Sequence, residues 1–262
     1  MLSSEKTTTV STKTPVAPTT GTKMAKRMTV TSDPGILCFH HCSVKVFCFN
    51  LPNVCPNCNC EMDRTMPKFM PFRLPYPFIR ASQYPCGIVL RPTTGDFLND
   101  YNNSMDLHIG VTTSHGSIVE FDRNGLQRRS DNNAWWQCLL VGDVPDPWHD
   151  LWDNVLMQIC KQPHWTIDHY NEETYNCYTF VLKFLEALGY AGLSEAAQSK
   201  TVFCEKYIVP RTTTAGKYIS LYRKLMEGGL YMHHHVKDGS GNSGTLNGKS
   251  IERHQKLFTI TE

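Results

Sequence analysis

No stretch of the 262-residue sequence approaches the ~20 consecutive apolar residues of a membrane-spanning helix, so none is expected. The opening segment, MLSSEKTTTVSTKTPVAPTTGTKMAKRM, also lacks the apolar core of a secretory signal, which puts the expected location in the cytoplasm or nucleus, where thiols stay reduced. An excess of charge is missing too: 26 Lys and Arg against 24 Asp and Glu leave a formal net charge of +2, too little to draw nucleic acid by bulk electrostatics. The eleven cysteines do not have the spacing of a disulfide framework. Cys38, Cys42, Cys48, Cys55 and Cys58 fall within 21 residues, with Cys60 just beyond and the others scattered. That distribution points to metal binding near one end of the chain and isolated buried thiols elsewhere. No internal repeat is present.

What is present is the composition of a globular domain, 40% apolar and 19% charged. Residues 1–34 are dominated by Thr, Ser, Lys and Pro, and residues 232–262 are rich in Gly, Ser and Asn. Neither segment can bury enough apolar surface to offset the entropy of ordering, so both are expected to be disordered tails, with His233, His234 and His235 as incidental metal binders in the second. Between them lie a Cys/His-rich segment at 35–64 and a core at 65–231.

Residues 44–49 alternate in the manner of a strand, and 67–85 read as an extended Pro- and aromatic-rich connector. Short apolar or alternating runs at 86–90, 107–111, 118–121 and 136–141 predict further strands, with Ser114-His115-Gly116 turning a hairpin over 106–121. Helices follow. Asp146-Pro147 is a start signal for Trp148, Trp152, Val155 and Ile159 at helical spacing. Cys177, Val181, Phe184 and Leu188 share one face of a second helix that starts near Asn176 and stops at Gly189. Two more helices are expected at about 201–207 and 215–226, with Pro210 forcing the chain out of the first. Strands first and helices later indicate an α+β fold, an antiparallel sheet with packed helices and a small Cys/His-rich N-terminal hairpin. Trp135-Trp136 and Trp148 with Trp152 are read as core.

Asn176-Cys177-Tyr178-Thr179-Phe180 places a cysteine in a first helical turn, where unpartnered backbone N–H groups can stabilise negative charge. A thiol nucleophile needs a base within reach, and His108, inside a strand pattern between Leu107 and Ile109, is the candidate. Beside this stands the packing reading, in which Cys177 belongs to an apolar helix face and His108 is a structural histidine. The order of histidine strand, return strand and cysteine helix resembles circularly permuted papain-like proteins of the NlpC/P60 superfamily, including lecithin retinol acyltransferase-like proteins and permuted deubiquitinase-like peptidases. The resemblance implies a permuted papain-like fold and a third polar group on the return strand. Glu120, twelve residues after His108, fits that role, and His115 at the turn fits it less well. It also implies hydrolysis or acyl transfer, with His108 taking the Cys177 proton and the thiolate attacking an acyl carbonyl of a peptide, isopeptide or small thioester. No amphipathic membrane anchor is visible.

Phe39-His40-His41-Cys42 and Cys55-Pro56-Asn57-Cys58 supply one C-x₂-C knuckle and an upstream His-Cys pair. Tetrahedral Zn²⁺ takes four such ligands. The first-choice set is His41, Cys42, Cys55 and Cys58, with Cys38, His40 or Cys60 as substitutes, and a reduced, metal-free hairpin as the alternative. A closed four-ligand site would be structural.

Over about residues 37–231 the chain resembles the makorin-2 opposite-strand protein family. The resemblance rests on Phe39-His40-His41-Cys42, Cys55-Pro56-Asn57-Cys58, the run 106–111, Tyr175-Asn176-Cys177-Tyr178 and the run 205–212, and it implies no established activity. Two functional expectations follow: a cysteine hydrolase or acyltransferase using Cys177, His108 and Glu120, or a catalytically inactive adaptor stiffened by zinc that binds a protein partner. Nucleic-acid binding through the Cys/His segment is the weaker third, since Lys and Arg are sparse around it.

Overall fold

The computed structural model describes residues 35–62, 70–130 and 133–234. The tail expected at 1–34, the remainder of the C-terminal one and residues 67–69 of the connector lie outside the described residues. Two antiparallel sheets organise the fold. In the first, β1 (Leu37–His41) and β2 (Val44–Cys48) form a hairpin, edged by the short β3 (Phe72–Arg73) and by β9 (Leu230–His234). The second has the order β7-β6-β5-β4-β8, from β4 (Gly87–Pro92), β5 (Leu107–Thr112), β6 (Ile118–Asp122), β7 (Gly125–Arg129) and β8 (Leu139–Asp143).

The helical half contains α1 (His149–Cys160), α2 (Cys177–Leu188), the short α3 (Ala191–Ala197) and α4 (Lys200–Phe203), and the long α5 (Val209–Gly228). The fold is α+β, as strands followed by helices indicated. Alternation along the larger sheet divides its side chains between two layers. Ile88, Leu90, Ile109, Val111, Val119 and Phe121 enter the main core with Trp152 and Leu156 of α1 and Phe180, Val181, Phe184 and Leu188 of α2. Val89 and Ile118 pack instead with Trp135, Cys138 and Ala81. Trp135 and Trp152 are buried, whereas Trp136 and Trp148 are half-buried. Fully burying one such apolar side chain contributes roughly 2 kcal/mol, so α2 alone anchors itself many times over.

Local chemistry sets the ends of α2. Asn176 Oδ1 accepts from the Tyr178 N–H at 3.0 Å, the Asn176 N–H donates to Thr179 Oγ1 at 3.2 Å, and Gly189 closes the helix in the left-handed region at φ 69°. Three expectations are corrected. Pro210 does not end a helix: it stands in the first turn of α5, where no N–H is needed, directly after a π turn at Cys204–Ile208, so helical backbone runs on from α4 through α5. Met232, His233 and His234 are not tail residues but strand residues, paired with Val46, Lys45 and Val44 of β2. Tyr231 stacks on Phe47 with ring centroids 6.2 Å apart, and that anchor is invisible to composition. The strand expected at 136–141 begins later, at Leu139, because Gln137 turns inward to accept the Phe97 N–H at 2.7 Å.

The hairpin over 106–121 is present, with Gly116 in its turn at φ 76°. A Cβ at that position would stand 2.6 Å from the Ser82 carbonyl oxygen. Gly116→Ala is therefore expected to lower the unfolding free energy by about 1–3 kcal/mol, read as a lower urea midpoint at unchanged slope; an unchanged midpoint would show that the turn relaxes freely.

Candidate functional site

Four adjacent strands each place one polar side chain in a common cluster. Arg129 of β7 donates from Nε to Glu120 Oε1 at 2.6 Å, and Glu120 of β6 meets His108 Nε2 of β5 through Oε2 at 2.8 Å. Arg91, which stands opposite His108 on β4, approaches Glu120 Oε2 at 3.7 Å. The backbone ladder between β5 and β6 is registered at Val111↔Val119 and Thr112↔Ile118. Toward Leu107 the His108–Glu120 pair takes over the link between the two strands. Trp135 covers the cluster: its ring centroid is 5.7 Å from that of His108, and the Arg91 guanidinium carbon lies 4.9 Å over it. Gly110 makes room for this indole, since a Cβ there would stand 3.1 Å from Trp135 and 3.3 Å from the Val119 carbonyl.

The helix α2 packs against β5 and β6, and Cys177 in its first turn lies near enough to influence the imidazole. Burial alone would lower the His108 pKa, but hydrogen-bonding interactions with Cys177 and Glu120 and the charges beside it raise it to about 9. Burial opposes ionisation of Glu120 as well, yet the His108 hydrogen bond and the charges of His108, Arg91 and Arg129 hold it down at about 2. A carboxylate 1% exposed is thus kept ionised by donors from three other strands. With Nε2 given to Glu120, Nδ1 is the ring nitrogen left for the thiol.

The structure brings together His108, Glu120 and Cys177 and leaves His115 elsewhere. His115 Nδ1 lies 2.9 Å from Ser114 Oγ, which donates to Asp153 of α1 at 2.5 Å. The serine stands between histidine and carboxylate there, the wrong order for an activated hydroxyl, so the trio latches hairpin to helix. Arg91 and Arg129 were not singled out from the sequence, and Trp135 was read as core with no tie to this cluster; the one available signal was a charge, Arg91, closing the apolar run of β4. The triad is closed to solvent, with His108 at 5% and Cys177 at 6% exposure. Neither of two surface recesses, of about 650 and 370 Å³, is lined by these residues.

A second cluster sits at the β1–β2 turn, where His41, Cys42, Cys55 and Cys58 bring their ligand atoms within 4.8 Å of one another. Cys42 Sγ is 3.5 Å from Cys55 Sγ, and Cys58 Sγ is 3.5 Å from His41 Nδ1. Tetrahedral bonds of metal–sulfur and metal–nitrogen length would separate such atoms by about 3.5–3.8 Å, so the group can hold a metal ion. Cys42 at φ 39° and Ser43 at φ 71° make the tight turn without glycine, and Asn59 at φ 56° follows the knuckle, whose Asn59 N–H donates to the Cys55 carbonyl at 2.9 Å. The Asn57 backbone and amide N–H groups donate to Cys55 Sγ at 3.4 Å and Cys42 Sγ at 3.2 Å, as outer partners of bound thiolates do. Cys38 is buried apart in β1, and Cys60 is exposed beyond the knuckle.

Among the described residues no helix is long and apolar enough to cross a membrane. The family model described as DUF4796 N-terminal matches residues 34–62 and that described as DUF4796 C-terminal matches residues 71–225. The human MKRN2 opposite strand protein is 31% identical over 199 residues, which cover 74% of this chain and 87% of that protein. No solved structure matches the chain.

The cluster fixes a pH dependence of stability. His108 has its pKa raised from 6.5, so its contribution is full below pH 6.5 and lost as pH rises through about 9. Glu120 has its pKa lowered from 4.5, so its contribution is full above pH 4.5 and lost as pH falls through about 2. Thermal melts across pH should show a plateau between pH 4.5 and 6.5, with limbs on the order of a few kcal/mol, and Glu120→Gln should flatten the acid limb. An acid limb identical in the variant would show that Glu120 is not the group responsible.

Proposed function

The chain belongs to the DUF4796 family, the family of the MKRN2 opposite strand protein, and from that premise we propose that its core is a cysteine hydrolase or acyltransferase of permuted papain-like ancestry. The observation that carries this reading is the His108 imidazole, held at 2.8 Å by the buried Glu120 and with its protonated form favoured by Cys177 at the capped start of α2. In the reacting state the Cys177 proton already resides on His108 Nδ1, the sulfur attacks the acyl carbonyl, and the leaving amine or alcohol takes that proton as the tetrahedral intermediate collapses to a thioester. Water or an acceptor nucleophile then releases the acyl group by the same route. Of the first N–H groups of α2, that of Tyr178 is spent on Asn176, so the Cys177 N–H is the one offered to the oxyanion. Glu120 orients the ring and, with Arg91 and Arg129 about it, remains an anion throughout. The low exposure of His108 and Cys177 means that an acyl substrate enters only when the cover over the triad moves.

The same exposure favours a second reading, an adaptor that keeps the triad as a buried structural network and presents a zinc-stiffened segment to a protein partner. Both readings include a Zn²⁺ ion held by His41, Cys42, Cys55 and Cys58. With all four positions protein-filled, the ion would stabilise the hairpin and take no substrate.

Peptide-resolved alkylation separates the readings. In the enzyme reading Cys177 labels faster than buried Cys86 and Cys138, and His108→Ala slows it by about tenfold or more, with Glu120→Gln intermediate and an activated ester leaving an acyl adduct on Cys177. Labelling as slow as that of Cys86 and indifferent to His108 would leave the adaptor. For the metal, elemental analysis should find one zinc per chain, lost in Cys55→Ser, and a chelator should lower the melting temperature. A metal-free preparation that melts unchanged with chelator would sink the zinc assignment.

A further inference from the structure

The run Lys206-Tyr207-Ile208-Val209-Pro210-Arg211-Thr212 serves neither site, yet Lys206, Tyr207, Pro210 and Arg211 line the larger recess, of about 650 Å³. The π turn at Cys204–Ile208 inserts an extra residue into the helix beside that recess, a distortion that recurs at functional sites. The facing wall is equally unusual. Ala191 takes a φ of 30°, and a Cβ at Gly192 would meet Tyr207 Oη at 3.2 Å and Lys206 Nζ at 3.3 Å. An ammonium and a phenol therefore converge on backbone that carries no side chain. Among the described residues neither Lys206 nor Arg211 forms a carboxylate ion pair. Lys206 lies instead over the Tyr207 ring, 5.4 Å from its centroid. Asp143 is the one acidic residue among those lining the recess.

We propose that this recess binds a small organic phosphate. Arg211 offers a planar fork of N–H donors, Lys206 a mobile point charge and Tyr207 a hydroxyl, a donor set suited to a tetrahedral dianion. Two cations against one carboxylate leave a net positive charge that draws an anion, and the Arg211 fork, Lys206 and Tyr207 together offer more donors than the two oxygens of a carboxylate can use. The recess is larger than a bare phosphate needs, and Val141, Tyr190 and Leu193 provide apolar wall for an organic part, while Asp143 can accept from a hydroxyl or amine on it. The assignment is independent of the Cys177 chemistry, because no residue is shared.

Calorimetric titration of the full chain with phenyl phosphate, and with benzoate as the carboxylate of similar size, tests it. Phenyl phosphate is expected to bind saturably with one site per chain and benzoate about tenfold more weakly. Arg211→Ala and Lys206→Ala, both exposed, should keep the wild-type melting temperature and each weaken phenyl phosphate by about tenfold. Gly192→Ala, favourable to the helix, should keep or raise the melting temperature and still weaken binding by crowding Lys206 and Tyr207. Cys177→Ala should bind as the wild type does. No saturable heat at millimolar phenyl phosphate, equal affinity for benzoate, or binding indifferent to Arg211 and Lys206 would each overturn the proposal.

Discussion

An ionised carboxylate at 1% exposure sits in the middle of the larger sheet, and the surrounding architecture answers to it. Removed from water, Glu120 is tolerated only with close donors, and the chain supplies them from three other strands through Arg129, His108 and Arg91. A one-residue slip of any of these strands would turn its donor to the opposite face and leave the charge alone. The ion network therefore specifies register where apolar packing is permissive. The same network raises the proton affinity of His108, and it does so beside the start of α2, where a thiol waits. Structural and chemical roles thus fall on the same atoms, which is why the packing and enzyme readings share one site.

Much of this was legible in the chain because local rules governed it. The 3.6-residue spacing of Cys177, Val181, Phe184 and Leu188, with Asn176 before and Gly189 after, placed α2, since both ends are set by local chemistry, a capping box at Asn176 and a left-handed Gly189. The β5–β6 hairpin followed from two apolar runs about a Ser-His-Gly turn, and the grouping of His41, Cys42, Cys55 and Cys58 from their spacing alone. What escaped depended on partners distant in sequence. Arg91 and Arg129 became meaningful only once four strands were in register, and β7, whose residues are half polar, carried no apolar alternation to announce it. Pro210 was read as a terminator because its ring normally breaks a helix; the π turn before it reset the hydrogen bonding so that it could begin one.

The Cys/His-rich hairpin and the larger sheet solve different problems of burial. The hairpin owns a core of only a few residues, Phe39, Val44, Val46, Cys48, Cys55 and Met62, too small to hold two left-handed residues in its turn by packing alone. The strand β9 along the outer edge of β2 supplies part of the missing constraint, and a metal ion held by the four convergent side chains at that turn would supply more. The long α5 joins the two parts: Arg223 donates to the carbonyls of Leu98 and Tyr101, each at 2.7 Å, and Lys224, next in the chain, lies over Tyr231 of β9.

That closing strand has a bearing on how the molecule is made. Every strand of the larger sheet and every helix lies between β2 and β9 in the chain, so the outer edge of β2 has no native neighbour until all of them have been synthesised. Throughout that interval an alternating apolar strand offers open amides and carbonyls to any extended segment nearby, including the same strand of a second nascent chain. A metal ion closing the adjoining Cys/His cluster early would stiffen the hairpin while that edge is still bare.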